Sequence, residues 1–296
     1  MTTEGRWGRT QHVRPMTRDE ARTLQEWVVA DHWDEGDWDA DVLFDIDPDG
    51  FWAILDDDGS MVGGLTIVAS PDNVGTVSLF FMQPSARGRG VAKRALADLL
   101  ALLGHRITDD ISLTNFSWPW SIEATRVWGF VPLFPEVRMV HSAGSVEPPS
   151  DDASIVDART LSEDAVIAFD AVRAGRRRDV LWRRWLSLPG SATLAAMDGN
   201  GAIRGLGTIR PSALGHRIGP LLAVTPDDAA TLLRHLMAQG HGTRVAMDMP
   251  SANPNAEPLA ISQGFAEEFR TVRTIWGVVP ELPWHERYAT VTLHLD

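Results

Sequence analysis

The hydrophobic and polar positions along this chain follow the same order twice, once on each side of residues 142–152. Apolar residues spaced three and four apart predict helices, and short apolar runs between Gly- and Asp-rich turns predict strands. In the first half, a helix begins after the capping-box pair Thr17 and Glu20, and further helices are predicted at 91–103 and 121–128. The strands of that half are predicted at 51–55, 61–69, 76–82, 111–113 and 137–141. The second half repeats the order, with helices at 161–171, 180–188, 227–238 and 256–263 and strands at 193–197, 202–209, 218–224, 244–247 and 272–276.

The middle of the chain is small, polar and rich in proline, which breaks both helices and strand ladders. We therefore predict a first domain over 1–141, a linker over 142–152 and a second domain over 153–296. In each half a Gly-Phe pair, at 129–130 and at 264–265, follows the late helix. Two copies of one α/β unit are the simplest explanation of this repetition.

The strongest local signal lies between the third predicted strand and the long helix that follows it. The turn between them contains Gly88 and Gly90 and carries Arg87 and Arg89, and Lys93 follows in the helix. Glycines in such a turn let successive amide N–H groups converge, and the positive end of the helix dipole adds to them. The sequence therefore predicts a binding site for a phosphate or pyrophosphate at this turn.

The pattern Arg-x-x-Gly-x-Ala at Arg87, Gly90 and Ala92, preceded by Met-x-Pro, resembles the pyrophosphate-binding motif of the GNAT acetyltransferases. The resemblance implies an α/β (α+β) fold of two tandem GNAT-like domains, each a twisted mixed β-sheet flanked by helices. It also implies acetyl-CoA as the cosubstrate, with backbone groups of the preceding strand offered to the pantetheine arm. The residues that it assigns to the cofactor are Phe81, Met82, Arg87, Gly88, Arg89, Gly90, Val91 and Ala92.

The second half departs from the family pattern because it lacks the glycine turn. Many GNAT enzymes also carry a later series of Asn, Ala and Tyr before Gly-Phe, in which the tyrosine often protonates the departing thiolate. The residues at these places are Trp118, Ser121 and Thr125 in the first half and Asn253, Ala256 and Ala260 in the second. We therefore predict one cofactor per chain, bound by the first half, and a degenerate second half that shapes the substrate pocket or the interface between the halves.

A narrower resemblance is to a bacterial group of tandem GNAT proteins. It is carried by Trp33, by Asp-Pro-x-Gly-Phe at 47–51, and by Arg-x-Gly-Pro-Leu at 217–221 and Asp-x-Pro-x-x-Asn at 248–253. Trp33 lies in an acidic loop and is predicted to form an aromatic wall for an amine, whose cation favours a ring face. Asn253 is the second predicted substrate residue.

Amide formation from a thioester needs a base that provides a neutral amine. The strand at 77–82 contains no acidic residue, so the base must come from elsewhere. The predicted catalytic residues are Asp31 and Glu35, in the loop after the first helix, and Asp248, at the end of a strand in the second half. Each of them has the alternative of being an ordinary solvated or capping acid, because surface carboxylates are common.

Composition narrows the class of protein further. The formal net charge of −13 repels nucleic acid and anionic membranes and attracts cationic amines. There is no cysteine, and the nine histidines show no ligand spacing, so we expect no disulfide, cysteine nucleophile or metal. No apolar run is long enough to span a membrane and no signal peptide is recognisable, so we expect a cytoplasmic protein, either a monomer or a homodimer.

Together these features predict an N-acetyltransferase that moves an acetyl group from acetyl-CoA to a primary amine of a small molecule. Two alternatives remain open. One is transfer of an aminoacyl or longer acyl group on the same scaffold. The other is a non-catalytic protein that binds or senses acyl-CoA, which the missing tyrosine favours. Release of free thiol in the presence of amines separates an enzyme from a sensor.

Overall fold

The computed structural model describes residues 12–70, 74–103, 111–144, 152 and 154–295. Residues 1–11, where no signal peptide was recognised, and residues 145–151 of the predicted linker lie outside the described residues. The elements of the first half are β1 (Val13–Pro15), α1 (Arg18–Ala30), α2 (Asp39–Ile46), β2 (Phe51–Leu55), β3 (Met61–Ala69), β4 (Val74–Met82), α3 (Val91–Leu103), β5 (Ser112–Ser117), α4 (Ile122–Arg126) and β6 (Val131–His141). Those of the second half are β7 (Ile155–Asp157), α5 (Glu163–Ala174), α6 (Asp179–Trp185), β8 (Ala192–Met197), β9 (Ile203–Ser212), β10 (Gly215–Ala223), α7 (Pro226–Gln239), β11 (Val245–Pro250), α8 (Ala256–Ser262), β12 (Ala266–Gly277) and β13 (Arg287–Ala289).

Short-range signals in the sequence set the ends of several helices. The hydroxyl of Thr17 accepts a hydrogen bond from the amide of Glu20 (3.3 Å), and the Glu20 carboxylate accepts one from the amide of Thr17 (2.9 Å). This reciprocal pair satisfies amides that α1 itself leaves without a partner, as the capping-box spacing predicts. At the start of α7 the Thr225 hydroxyl accepts a hydrogen bond from the amide of Asp228 (3.2 Å), and α5 ends at Gly175, whose φ of 72° is easily adopted only by glycine.

The described strands form one continuous sheet across both halves. Their order is β1-β2-β3-β4-β5-β12-β6-β11-β10-β9-β8-β7, and β13 pairs with β10. At the centre the halves exchange a strand, because β12 lies between β5 and β6, and β6 pairs on its other side with β11. The strand at 137–141 was predicted within the first half, whereas β6 pairs on both sides with strands of the second half. An apolar pattern identifies a strand but does not identify its neighbours.

Helices cover the two faces of the sheet differently. One face, called here the shared face, carries α1, α2, α5 and α6 over a single apolar core that includes Leu24, Leu43, Ile167 and Trp182. On the opposite face, α3 packs over one core, and α7 and α8 pack over a second, separate core. The two halves are therefore joined twice, through the exchanged strands and through the common core of the shared face.

Several elements differ from the sequence prediction. The short elements β1, α2, β7 and β13 were not predicted, because three-residue strands leave too few positions to show an alternation and α2 mixes acidic with apolar residues. The strands β6 and β12, with 11 and 12 residues, are each more than twice as long as predicted. They extend beyond the apolar core along each other, where hydrogen bonding rather than burial maintains the strand.

Candidate active site

The first cleft is the gap that opens between the parallel strands β4 and β5. The two strands pair only where residues 74–77 face 112–115, and they diverge beyond this point. The side-chain amide of Asn115 donates to the carbonyl of Val77 (2.9 Å), and Leu79, with φ 48°, marks a bulge where the pairing of β4 with β3 shifts. Among the described residues, the later backbone groups of β4 therefore have no strand partner on the β5 side. An extended ligand that carries amides can pair with such an edge.

The glycine turn lies at the wide end of the first cleft. Gly88 and Gly90 both have φ 76°, a left-handed conformation that side chains other than glycine adopt only with strain. The first hydrogen bond of α3 runs from the amide of Arg94 to the carbonyl of Gly90 (3.2 Å), so the amides of residues 91–93 precede the helical ladder. Open space surrounds the position that a side chain at Gly88 would occupy. The turn thus has the form of an anion site, with amides and a helix dipole pointing at free volume.

Both arginines of the turn are oriented by neighbouring groups. Arg87 donates from Nε to the carbonyl of Met82 (2.9 Å) and from Nη2 to the carboxylate of Asp31 (3.0 Å). Arg89 donates two hydrogen bonds to Asp56, at 2.8 and 3.1 Å. The side chains of Arg87 and Arg89 nevertheless remain 48% and 50% exposed. Their charge is therefore both positioned and accessible to a ligand at the turn.

The structure brings the predicted cofactor residues together at this end of the first cleft, where β4 ends, the turn follows and α3 begins. Their role toward a cofactor stays a prediction. Phe80, which the sequence analysis did not single out, also belongs to this region, because it is 46% exposed within a mostly buried strand. In the sequence it is one member of an apolar run, and only the bulge at Leu79 reveals that its ring faces outward.

Two of the predicted catalytic acids, Asp31 and Glu35, lie in the acidic loop, which we define as residues 31–37. Asp31 follows α1, contacts Arg87 and has 37% of its side chain exposed. Glu35 is buried, and its Oε2 lies 2.8 Å from Nε2 of His294. Burial would raise the pKa of Glu35, but the charge of His294, its contact with the carboxylate and the charge of Arg217 hold that pKa below its ordinary value.

The third predicted acid, Asp248, lies at the centre of the sheet and is 2% exposed. It accepts two hydrogen bonds from Arg138 (2.6 and 2.9 Å) and a further one from Arg217. Burial would raise the pKa of Asp248, but the charges of Arg138 and Arg217 hold it below its ordinary value. Because Arg138 belongs to the first half and Asp248 and Arg217 to the second, this triad ties β6 to β10 and β11. Its geometry suits a structural ion pair, and the assignment of Asp248 as a base stays a prediction.

The second half holds the acidic loop in place. The side chain of Asp34 accepts a hydrogen bond from the amide of Leu214 (3.1 Å) and pairs with Arg244, while its carbonyl accepts one from Arg217 (2.6 Å). The carbonyl of Glu35 accepts one from the amide of Ala213 (2.9 Å). The acidic loop is therefore fixed by residues of β10, of the β9–β10 turn and of the segment just before β11.

Trp33, the predicted substrate residue of the acidic loop, is half-buried. Its indole stacks against the imidazole of His294, with ring centres 6.4 Å apart and planes inclined by 15°. It packs in the same core as Phe81 of β4. His294 was not predicted from the sequence, because no local motif surrounds it.

The second cleft lies between β10 and β11 and, like the first, opens where the pairing of two parallel strands ends. It differs from the first because a segment of the chain fills it. These strands pair in parallel only where residues 216–218 face 245–247. The end of the chain fills the gap beyond, because β13 pairs with Leu221 and Leu222 of β10 and the amide of Thr290 donates to the carbonyl of Asp248 (2.9 Å). The side chain of Asn253, predicted to bind substrate, donates instead to the carbonyl of Arg287 (3.1 Å). The chain itself therefore occupies the place that is open in the first half.

A sheet that splays between two parallel strands, next to a glycine turn that opens a helix, defines an acyltransferase of the GNAT type. Residues 15–117 match the acetyltransferase (GNAT) family, and residues 166–289 match an acetyltransferase (GNAT) domain. The chain belongs to the GNAT family and contains two GNAT domains in tandem. The predicted family and the predicted fold class are both confirmed.

Similar proteins extend over nearly the whole chain. A holothin acyltransferase from Pseudoalteromonas sp. (strain SANK 73390) is 28% identical over 283 residues, which cover 95% of this chain and 93% of that protein. The structure of a putative acetyltransferase from Pyrococcus horikoshii aligns with a TM-score of 0.77 at 19% identity, over 96% of this chain and 95% of that one. A tandem GNAT protein from the clavulanic acid biosynthesis pathway aligns with a TM-score of 0.62 at 14% identity, over 91% and 99%. The structural likenesses establish the tandem fold.

Two further observations concern membranes and metals. Among the described helices, none combines the length and the apolar character needed to cross a lipid bilayer. Within the same part of the chain, no three His, Asp or Glu side chains come together in the manner of metal ligands.

Proposed function

We propose that this acyltransferase moves an acetyl group from one acetyl-CoA, bound in the first cleft, to a primary amine of a small molecule. The observation that carries the proposal is the contrast between the two clefts. The first is open and has the glycine turn, whereas the second contains β13. One cofactor site per chain follows from this contrast.

In this proposal each part of the cofactor has a counterpart in the first cleft. The pyrophosphate binds at the amides of residues 91–93 and is neutralised by Arg87 and Arg89, whose side chains are half-exposed. The pantetheine arm pairs with the free edge of β4. Backbone N–H groups near Phe81 and Met82 then polarise the thioester carbonyl, because donors fixed in the protein stabilise the negative charge that develops on its oxygen.

The acceptor amine binds on the shared face, between β4 and the acidic loop. The loop supplies carboxylates, and the net charge of −13 draws cationic amines toward the protein. Trp33 offers a ring surface at the same place. The name of the relative from Pseudoalteromonas, a holothin acyltransferase, supports acyl transfer as the reaction.

Calorimetric titration of acetyl-CoA tests the cofactor site. The variant Arg87→Ala/Gly90→Asp removes one cation and places a carboxylate at the anion site, so we expect saturable one-to-one binding by the wild type and loss of binding by the variant. Gly201→Asp is the matched control, because Gly201 has a similar φ of 81° but lies in an open turn of the second half. Two sites per chain would contradict the assignment of the second half, and unchanged binding by the double variant would remove the first cleft as the cofactor site.

Thiol release tests the reaction and separates the alternatives. Coenzyme A liberated from acetyl-, longer acyl- and aminoacyl-CoA is measured with a thiol reagent in the presence of a panel of primary amines. We expect amine-dependent release that is fastest with acetyl-CoA. A preference for another acyl group supports the alternative donor, and tight acyl-CoA binding without release by any amine supports a sensing protein.

A further inference from the structure

The end of the chain places one histidine against the acidic loop in a fixed orientation. Beyond β13 the chain crosses the shared face, where Val291 and Leu295 join the common core. It then forms a turn in which Thr292 and Leu295 exchange backbone hydrogen bonds, and the Thr292 hydroxyl accepts a hydrogen bond from the amide of His294 (3.1 Å). His294 is 5% exposed, so both its backbone and its side chain are held by the protein.

The two ring nitrogens of His294 have different surroundings. Nε2 lies 2.8 Å from Oε2 of Glu35, in an orientation that is not aligned for a hydrogen bond. A proton on Nε2 makes this contact attractive, whereas a lone pair there would repel the carboxylate. In the neutral ring, Nδ1 is then the atom with a free lone pair. Nδ1 is buried and has no hydrogen-bond partner among the described residues. Nδ1 is therefore available to accept a proton from a ligand that reaches it.

The position of the pair relative to the first cleft is set by the acidic loop. At its start, Asp31 contacts Arg87 of the glycine turn. Two residues later, Trp33 stacks on His294 and shares a core with Phe81 of β4. The acidic loop therefore connects the glycine turn of the first cleft, which Asp31 contacts, with the buried pair of Glu35 and His294 on the shared face.

We propose that His294 is the general base of the acyl transfer and that Glu35 orients it, so that the second domain contributes a catalytic residue to the first cleft. This inference rests on the function proposed above. As the acceptor nitrogen attacks the thioester carbonyl, a C–N bond forms and the C–S bond breaks, and Nδ1 takes the proton that the nitrogen loses. The departing thiolate takes up one proton, which the imidazolium returns. Amine and thioester thus become amide and thiol with no other reactant.

The charged groups around His294 favour this transfer of a proton to and from the imidazole. Glu35 faces the protonated ring and stabilises the imidazolium, as a carboxylate does for other catalytic histidines. Asp39 and Asp248 also lie close enough to interact with the charge of His294, and Arg217 balances these acids from β10. Glu35, which the sequence predicted as the base itself, acts here through the imidazole.

Kinetics with chemical rescue test the base. His294→Ala should lower kcat by about 100- to 1,000-fold, a typical contribution of general base catalysis, with the Kd for acetyl-CoA unchanged. Imidazole added to the buffer should restore part of the rate, which a merely structural defect would not allow. His294→Gln keeps the volume and should be equally slow, and Glu35→Gln should lower kcat less.

His285→Ala is the matched control, since this histidine of the same segment is 68% exposed. Rates of His294→Ala and His294→Gln within about threefold of the wild type would overturn the proposal, as would slow variants that imidazole does not rescue.

Nuclear magnetic resonance of the histidine nitrogens gives a readout that needs no turnover. In the wild type, the neutral form of His294 should carry its proton on Nε2, and Glu35→Gln should change that assignment. A neutral form with its proton on Nδ1 would overturn the proposal even in an active enzyme. If the predicted tautomer is found but the wild type releases no thiol with any amine, the proposed function fails, and the catalytic role of His294 fails with it.

Discussion

Asp248 is the residue for which structure and sequence give the most different expectations. The sequence offers it as a catalytic base, whereas the structure shows a buried carboxylate bound by Arg138 and Arg217. The substitution Asp248→Asn separates the two roles, because it keeps the shape of the side chain and removes its charge. If Asp248 is the catalytic base, this change lowers the rate of the reaction. If it is a structural ion, the change lowers the stability of the fold.

The magnitude follows from burial. Arg138, Arg217 and Asp248 are 5%, 2% and 2% exposed, so the variant leaves two buried guanidinium groups facing an uncharged amide. Removing one partner of a buried ion pair costs about 3–5 kcal/mol of the free energy of unfolding. For a chain of 296 residues that loss lowers the melting temperature by about 5–8 °C. The matched control is Glu268→Gln, whose partner is Arg244 and whose side chain is 42% exposed. An exposed pair contributes less than about 1 kcal/mol.

Thermal unfolding and thiol release on the same preparation provide the assay. We expect Asp248→Asn to melt well below the wild type and to retain kcat within about threefold at a temperature where it is folded. If the variant melts with the wild type and its kcat falls by about 100-fold or more, which is the range for loss of a general base, the structural interpretation is wrong.

Three further predictions concern other parts of the molecule. The hydrogen bond from Arg14 holds the pKa of Glu20 at about 2, so the stabilisation by the ionised carboxylate is complete above pH about 4.5 and is lost as the pH falls toward 2. Glu20→Gln should therefore reduce the free energy of unfolding by about 1 kcal/mol at pH 7, after allowance for solvent screening. In urea denaturation, the difference between the variant and the wild type should vanish in acid. Trp33→Ala should raise the KM for the amine by about tenfold and leave the Kd for acetyl-CoA unchanged in calorimetry, because an indole face contributes about 1–2 kcal/mol to binding a cation. Gly219→Ala should lower the free energy of unfolding by at least about 2 kcal/mol in chemical denaturation, because the added carbon would lie 2.4 and 2.5 Å from two carbonyl oxygens of the final segment. Gly199→Ala is the control: its added carbon lies in open space and should change this free energy by less than about 0.5 kcal/mol.

Local sequence patterns predicted the features that depend on interactions between residues close together in the chain. The capping box at Thr17 and Glu20 begins α1 as predicted, and the glycine turn at Gly88 and Gly90 adopts the left-handed conformation that only glycine accepts readily. The family motif rests on the same turn, so the tandem fold could be recognised before any contact was known.

Features of long range could not be predicted in the same way. The exchange of β6 and β12 depends on which strand edges meet, and both strands would read the same in an unexchanged sheet. The contact between Glu35 and His294 joins residues at opposite ends of the chain, and no local spacing connects them. The closure of the second cleft by β13 was likewise hidden, because a three-residue strand carries almost no pattern.

The exchanged strands determine whether either half of the chain can fold without the other. A polypeptide cut at the linker would leave the first fragment with β6 but without the strand that separates it from β5, and the second fragment with β12 but without its neighbours on either side. Two such fragments made together in one cell have complementary open edges and should reassemble into one active particle, whereas either alone would expose those edges to copies of itself. Deleting either half would therefore remove sheet partners of the other, whatever that half binds.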